Sequence, residues 1–264
     1  MGYHFSAHLG FLFKDLPLEV RFEAAAAAGF DYVEHPSPFE LPAKRFRELL
    51  DQNGLRMAQM SSGNGGAGLK GFAALSDHTD AFREGYLRAA DYAEEVGSPF
   101  LHPMAGLMTE AHDRAECQKT WLENVLWAQE ALKGRALNVI VEPISEATFP
   151  GYYLSTLGVL EEMLPELPEN VYAFVDIFHA ACNHEDVCAF IRKYADRVGH
   201  LHIADHPGRH EPGTGEIDFA PVDRCLKEAG FTGCLGLEYH PMASTNDGLI
   251  WRDSWPIFRT KSGE

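Results

Sequence analysis

Basic residues are scarce in this chain of 264 residues: 22 Lys and Arg stand against 39 Asp and Glu, a formal net charge of −17. Such an acidic balance repels nucleic-acid phosphates unless a local basic patch offsets it, and the sequence shows no such patch. Excess acid ordinarily serves solubility. Cysteine is sparse as well. Cys117, Cys182, Cys188, Cys225 and Cys234 form no C-x-x-C pair and are odd in number, which speaks for reduced thiols rather than a disulfide framework. No apolar run approaches the ~18 residues that suggest a membrane span. The opening Met-Gly-Tyr-His-Phe-Ser has no basic stretch followed by an apolar core, so no signal peptide is expected. These absences predict a soluble, cytoplasmic chain with neither nucleic acid nor membrane as a partner.

What is present suffices for a large core: hydrophobic residues make up 45% and charged residues 23%. Short β-rich runs alternate with longer helical patterns, the grammar of parallel βα units. Strands are expected at Tyr3–Leu9, Tyr32–His35, Arg56–Met60, Phe100–Met104, Asn138–Pro143, Ala173–Ile177, His200–Ala204 and Cys234–Tyr239. Helices are expected at Leu18–Ala28, Ala43–Gln52, Thr79–Val96, Thr109–Leu132, Thr156–Leu164, Glu185–Tyr194, Pro221–Ala229 and Asn246–Phe258. Several of these helical patterns stop at glycine, as at Gly29, Gly54, Gly97, Gly134 and Gly230. Eight repeats without a change of composition predict an α/β protein, a single (β/α)8 TIM barrel over residues 1–264 with the last few residues as a tail.

Four of the expected strands end in a residue that can bind a metal. They read Val-Ile-Val-Glu142, Ala-Phe-Val-Asp176, Gly-His-Leu-His202 and Leu-Gly-Leu-Glu238, spaced by 34, 26 and 36 residues. Each interval is about one strand-plus-helix repeat, and parallel barrel strands end at one mouth. Three carboxylates and one imidazole suit a hard or borderline divalent cation: Mg, Mn, Co or Zn. Such a centre would polarise a carbonyl and stabilise an enediolate. A single Glu or His at a strand end is ordinarily a hydrogen-bonded structural residue, and spacing alone leaves both readings open.

Other residues border this set. His179 follows Asp176 by three positions, and Arg209 lies in a Pro/Gly-rich loop, His206 to Glu216, suited to clamping a carboxylate or sugar. His4 and His8 read as core or rim residues. Glu34 and His35 close the second strand, facing either the core or the mouth. Trp251 and Trp255, four apart, read as helix packing. Gly63-Asn-Gly65-Gly-Ala-Gly68 matches G-x-G-x-x-G, but Leu69-Lys70-Gly71 follows where a dinucleotide fold needs a helix, so an active-site loop is expected.

On these residues the chain resembles the hydroxypyruvate isomerase family, a branch of the xylose-isomerase-like barrels that also holds 2-oxo-tetronate isomerases and ketose 3-epimerases. The resemblance runs over nearly the whole sequence. Its most specific stretches are Ile140-Val-Glu142-Pro-Ile, Val175-Asp176-Ile-Phe-His179, Gly199-His-Leu-His202-Ile-Ala-Asp205, Arg209 to Ile217 and Gly236-Leu-Glu238-Tyr. It implies metal positions at Glu142, Asp176, His202 and Glu238, acid/base roles for Glu142 and Glu238, and substrate contacts from His179 and Arg209. Position 202 is often Gln in hydroxypyruvate isomerases and His in the epimerases. The family's Asn-Leu-Pro-Ala-Gly-Asp-Trp-like loop is replaced here by Ser61 to Gly68, and its Asn-His-like loop by Ser145-Glu146-Ala-Thr148. Both loops should border the substrate.

The leading expectation is a metal-dependent isomerase converting hydroxypyruvate to 2-hydroxy-3-oxopropanoate (tartronate semialdehyde) through an enediolate. A ketose 3-epimerase or 2-oxo-tetronate isomerase is the alternative. An abasic-site endonuclease sharing the barrel, and a barrel that binds sugar acids without turning them over, are further readings. The acidic balance speaks against the endonuclease. The expected partner is a small hydroxy-oxo acid or ketose, with a homo-oligomer as a further possible assembly.

Overall fold

The computed structural model describes residues 2–63, 65 and 69–256. Residues 64 and 66–68 of the glycine-rich loop, the end of the last expected helix and the expected tail lie outside the described residues. Eight parallel strands close into a barrel in chain order. They are β1 His4–His8, β2 Tyr32–His35, β3 Arg56–Ser61, β4 Phe100–His102, β5 Asn138–Val141, β6 Val171–Asp176, β7 Val198–Ile203 and β8 Cys234–Leu237. The ring closes where β8 pairs with β1, His4 beside Cys234 and Ala7 beside Leu237.

The strands are apolar on the face that meets the helices and carry polar side chains together with Phe174 inside the ring, because successive side chains point to opposite sides. Val33, Val139, Val141, Val175, Leu201, Ile203, Leu235 and Leu237 are fully buried in the main core. Their neighbours Glu34, Glu142, Asp176, His200 and His202 are also buried. A barrel lined this way needs partners for its polar groups, since an unpaired buried group is costly.

The helices are α1 Leu18–Ala27, α2 Ala43–Asn53, α3 Thr79–Val96, α4 Arg114–Ala131, α5 Leu157–Met163, α6 Ile177–Cys182, α7 Val187–Lys193 and α8 Phe219–Glu228. Gly54 and Gly97 close α2 and α3 in the left-handed region, at φ 67° and 70°. Side-chain caps set several starts: Asp113, Thr156, Asp186 and Asp218 accept from backbone N–H groups two or three residues on.

Several boundaries depart from expectation. The Thr109–Leu132 stretch is helical only from Arg114, because Thr109 is taken up in a turn with His112 and Asp113 caps the helix. Pro221 does not open α8 but sits in its first turn, where its missing N–H is harmless. Asn246–Phe258 contains 3-10 structure over Asp247–Ser254 instead of an α-helix. Ile177 belongs to α6, a short helix that the apolar run at the end of β6 conceals. Among the described residues no helix opens directly on the glycine-rich loop; α3 begins at Thr79, so a phosphate-binding turn has no described helix there to use. Among the described residues no helix is long and apolar enough to cross a membrane. All five cysteines are free.

Candidate active site and metal centre

Glu142 follows β5, Asp176 ends β6, His202 lies in β7 and Glu238 follows β8. One ligand atom from each lies within 4.8 Å of the other three. Two ligands on opposite sides of an ion at ~2.1 Å would be ~4.2 Å apart, so the four need only a small contraction to share one. Barrel closure alone brings them together from positions spread over 97 residues of chain (142 to 238 inclusive).

The His202 ring shows which of its nitrogens is available. Nε2 lies 2.9 Å from Glu34 Oε2, a carboxylate oxygen that can only accept, so Nε2 carries the hydrogen. Nδ1 is buried without a hydrogen-bond partner, 3.1 Å from Glu238 Oε2 and 3.9 Å from Glu142 Oε1. A carboxylate behind an imidazole whose other nitrogen faces three acids is the arrangement that orients metal-bound histidines. The donor set and this orphaned nitrogen fit a divalent cation.

Glu34 is the hub beneath the quartet. Its Oε2 accepts from Gln59 Nε2 at 2.8 Å and from His200 Nε2 at 2.8 Å as well as from His202, and its Oε1 accepts from Ser6 Oγ at 2.9 Å. Gly236 makes room for it: a Cβ there would lie 1.9 Å from Glu34 Oε1. Glu34, His200 and His202 also form a compact group with metal-ligand chemistry, but their hydrogen bonds to one another already engage the facing atoms.

Burial and mutual charge drive the acids apart. Burial would raise Glu34, yet His200 and His202 outweigh it and hold its carboxyl well below the usual range. Glu238 is likewise held well below that range, because Arg209 and His202 overcome the cost of burial. Glu142 goes the other way. Burial pushes it well above the range, helped by the negative charge of Glu238 and Asp176 and only partly opposed by His202. For His202, burial favours the neutral ring, but Glu34 and Glu238 on its two sides raise it well above its ordinary value. A cation bound among the carboxylates would take the place of that proton.

Asp176 has two functions in the geometry. Oδ1 caps α6, accepting from Phe178 N at 2.7 Å and His179 N at 3.3 Å, while Oδ2 faces Arg209 Nη2 at 3.2 Å. His179 is therefore delivered to the site by a helix that starts on a quartet residue. Its Nε2 lies 3.4 Å from Asp176 Oδ2, and its Nδ1 lies 3.1 Å from Ser145 Oγ and 3.4 Å from Thr148 Oγ1. Arg209 also hydrogen-bonds Glu238 closely, with its guanidinium 5.1 Å from the Phe11 ring and 5.0 Å from that of Phe178. Asp205 anchors the loop that carries Arg209 by accepting from the backbone of His206, Gly213, Gly215 and Ile217.

A cavity of about 210 Å³ is lined by Glu142, His202 and Glu238 together with His179, Arg209 and Lys70. Sites for drug-sized ligands run at ~300–1,000 Å³, so this one suits a molecule of a few carbons. A larger cavity, about 890 Å³, lies against α3 and is lined by Phe39, Phe72, Tyr86 and Tyr92, away from the quartet.

All six site residues named from the sequence thus converge. Sequence reasoning misses His102, whose Nδ1 lies 3.6 Å from Glu142 Oε2, although it ends β4 as the quartet residues end their strands. It leaves His8 as core or rim, whereas His8 Nε2 reaches Glu238 Oε1 at 3.4 Å and the ring lines the cavity. His200, two positions before His202 on the same face, carries a readable signal; Gln59 and Lys70 carry none.

The model of the family described as "Xylose isomerase-like TIM barrel" matches residues 22–259. The 2-oxo-tetronate isomerase of Cupriavidus necator is 35% identical over 250 residues, covering 94% of this chain and 96% of that protein. The hydroxypyruvate isomerase of Escherichia coli K12 is 29% identical over 254 residues, 95% and 98% of the two chains. Among solved structures, "AP endonuclease, family 2" from Brucella melitensis superposes with a TM-score of 0.92 at 32% identity, covering 97% of this chain and 99% of that one. Several solved sugar epimerases share the fold at 17% to 20% identity. The chain belongs to the xylose isomerase-like TIM barrel family and is an isomerase of the hydroxypyruvate isomerase-like kind.

Proposed function

We propose that this protein is a metal-dependent isomerase of short hydroxy-oxo acids, with hydroxypyruvate and 2-hydroxy-3-oxopropanoate as the pair it interconverts. The observation that carries the reading is the convergence of Glu142, Asp176, His202 and Glu238 on one point beside a small polar cavity. These four would hold the divalent ion. Bound there, the ion would draw electron density from the carbonyl oxygen and favour the enediolate.

The remaining work falls to side chains. Converting hydroxypyruvate moves a proton from C3 to C2 and, on oxygen, from the C3 hydroxyl to the C2 carbonyl oxygen, with no net gain or loss. Glu238, kept ionised beside Arg209, is suited to take the carbon-bound proton, and Glu142 is suited to return one to the neighbouring carbon. In the reverse direction the two exchange roles. His179 and Arg209 orient the substrate oxygens, and Ser145 and Thr148 fix the His179 ring.

A four-carbon substrate, 2-oxo-tetronate, is the second reading, favoured by relatives of that name at 34% and 35% identity. The epimerase reading has behind it a shared fold and His202, the residue type expected at that position in the epimerases. The endonuclease name of the Brucella melitensis protein is not carried over, because a net charge of −17 opposes a DNA phosphate backbone. NMR of the Mg²⁺- or Mn²⁺-supplemented protein with three- to six-carbon hydroxy-oxo acids and ketoses in D₂O tests the proposal. Deuterium entering at C2 with migration of the carbonyl is expected for hydroxypyruvate or 2-oxo-tetronate. Exchange with an unmoved carbonyl would favour epimerisation; no exchange in any substrate would sink the isomerase reading.

A further inference from the structure

Two cations line the cavity, and they differ in what holds them. Arg209 is committed: Nη2 bonds Asp176 and Glu238, and its plane lies near two aromatic rings. Lys70 is not. The lysines paired with carboxylates among the described residues are Lys119, Lys133, Lys193 and Lys227. The Lys70 ammonium instead lies over the Phe149 ring, 4.1 Å from its centroid. A cation held by a ring face keeps its charge and N–H donors for a ligand.

The position of Lys70 is built rather than incidental. Its backbone has φ 54°, a left-handed conformation that a non-glycine residue adopts only where its surroundings impose it. The surroundings do so from the next residue onward. Gly71 bridges Ala105, Ala73 N donates to Met104 O at 3.1 Å, and Ala74 N donates to Ala105 O at 2.8 Å. A Cβ on Gly71 would lie 2.1 Å from Met104 O, so the segment lies flat on the extension of β4. Phe149 is fixed in turn by its N–H on Ser145 O at 3.0 Å and by the bridge between Leu107 and Tyr152. The loops after β3 and β5 therefore meet across the cavity wall through one cation–ring contact.

The charge of the site gives this contact a purpose. Glu142, Asp176 and Glu238 place three acids beside Arg209 and His202. With a dication and Arg209 in place the charge of the three acids is already offset, so an entering carboxylate brings a negative charge with no partner of its own unless an unengaged cation receives it. We infer that Lys70 is a specificity-determining residue: its ammonium binds the substrate carboxylate, leaving the hydroxy-carbonyl end to Glu142 and Glu238. The inference rests on the isomerase reading of this cavity and narrows it to acids, setting neutral ketoses aside.

Calorimetric titration of the Mn²⁺-supplemented protein with glycerate and with its neutral amide, glyceramide, tests this without turnover. The wild type should prefer the acid by ~10- to 100-fold, the range of a charge-assisted hydrogen bond. Lys70→Met should abolish that preference while changing the affinity for the amide by less than about threefold, and Lys70→Arg should restore most of it. Retention of the preference in Lys70→Met would overturn the proposal, as would a wild type that binds neither ligand or both alike. A preference that depends on Lys70 in a protein that exchanges no deuterium would leave the carboxylate site standing and remove only the isomerase reading.

Discussion

The first four strands and the last four bring polar side chains into the same barrel, but with different degrees of completion. In the first half, Glu34 accepts from Ser6 and Gln59 across neighbouring strands and from His200 and His202 across the ring. In the second half, His202 Nδ1 has no hydrogen-bond partner, and the imidazole nitrogens nearest Glu142 stand 3.6 and 3.9 Å away. Glu34 has both carboxylate oxygens engaged by protein, whereas His202 Nδ1 is left open. Around Glu142 and His202 Nδ1 the site is thus open to something outside the chain, while the acid of β2 is arranged for the chain itself.

The strongest challenge to this division is on turnover. Glu238→Gln removes an ionised carboxylate from the open half, and kcat/KM for the isomerised acid should fall by ~10²–10⁴-fold, as for loss of an acid/base group. Steady-state kinetics with coupled NMR product analysis reads it; retention of more than a tenth of wild-type turnover would remove Glu238 from the chemistry. An intermediate effect is expected from the closed half. Glu34→Gln leaves His202 its shape but takes away the carboxylate behind it, and Mn²⁺ affinity should drop ~10- to 100-fold by calorimetry. Unchanged affinity would mean that the network beneath the quartet serves only folding.

A smaller effect concerns acid. Burial lowers His8 to about 4, His35 to about 3, His102 to about 3 and His179 to about 4, from an ordinary 6.5. Below pH 6.5 the unfolded chain takes up protons that these folded imidazoles refuse, so stability is lost as pH falls toward 4. His202, whose value is raised, works in the opposite sense but above this window, its stabilisation being complete once pH has fallen to about 6.5. The apo-protein's Tm should fall by at least ~2 °C per pH unit below pH 6 in differential scanning calorimetry. Three of the four histidines belong to the first half, so His102→Gln should make the slope shallower. An unchanged slope would move the acid sensitivity to the carboxylates of the other half.

The same division separates what the amino-acid order discloses from what it hides. The quartet is legible because each member closes an apolar run, and strands that end at one mouth convert that regularity into proximity. Glu34 closes no such run; Tyr32-Val33-Glu34-His35 carries two polar residues in succession, and nothing local shows which one turns inward. Alternation against Val33 settles it in the folded chain, where Glu34 lies inside the ring. Helix α6 is hidden for a related reason: Ile177 and Phe178 extend the apolar run of β6, and only the capping by Asp176 Oδ1 turns the chain. Lys70 is unreadable because its importance lies in a ring 79 positions further on, Phe149. Non-local pairings of that kind leave no periodic trace.

Gly236 gives the barrel a constraint on its own history. Because a methyl group there would coincide with the Glu34 carboxylate, positions 34 and 236 are epistatic across 202 residues of sequence. The dependence runs one way: a side chain at 236 is tolerable only in a background that has already shortened or lost the acid at 34, and that background has already lost the partner of His202. Diversification of this scaffold should therefore proceed through the rim loops, with Gly236 changing only after Glu34 has.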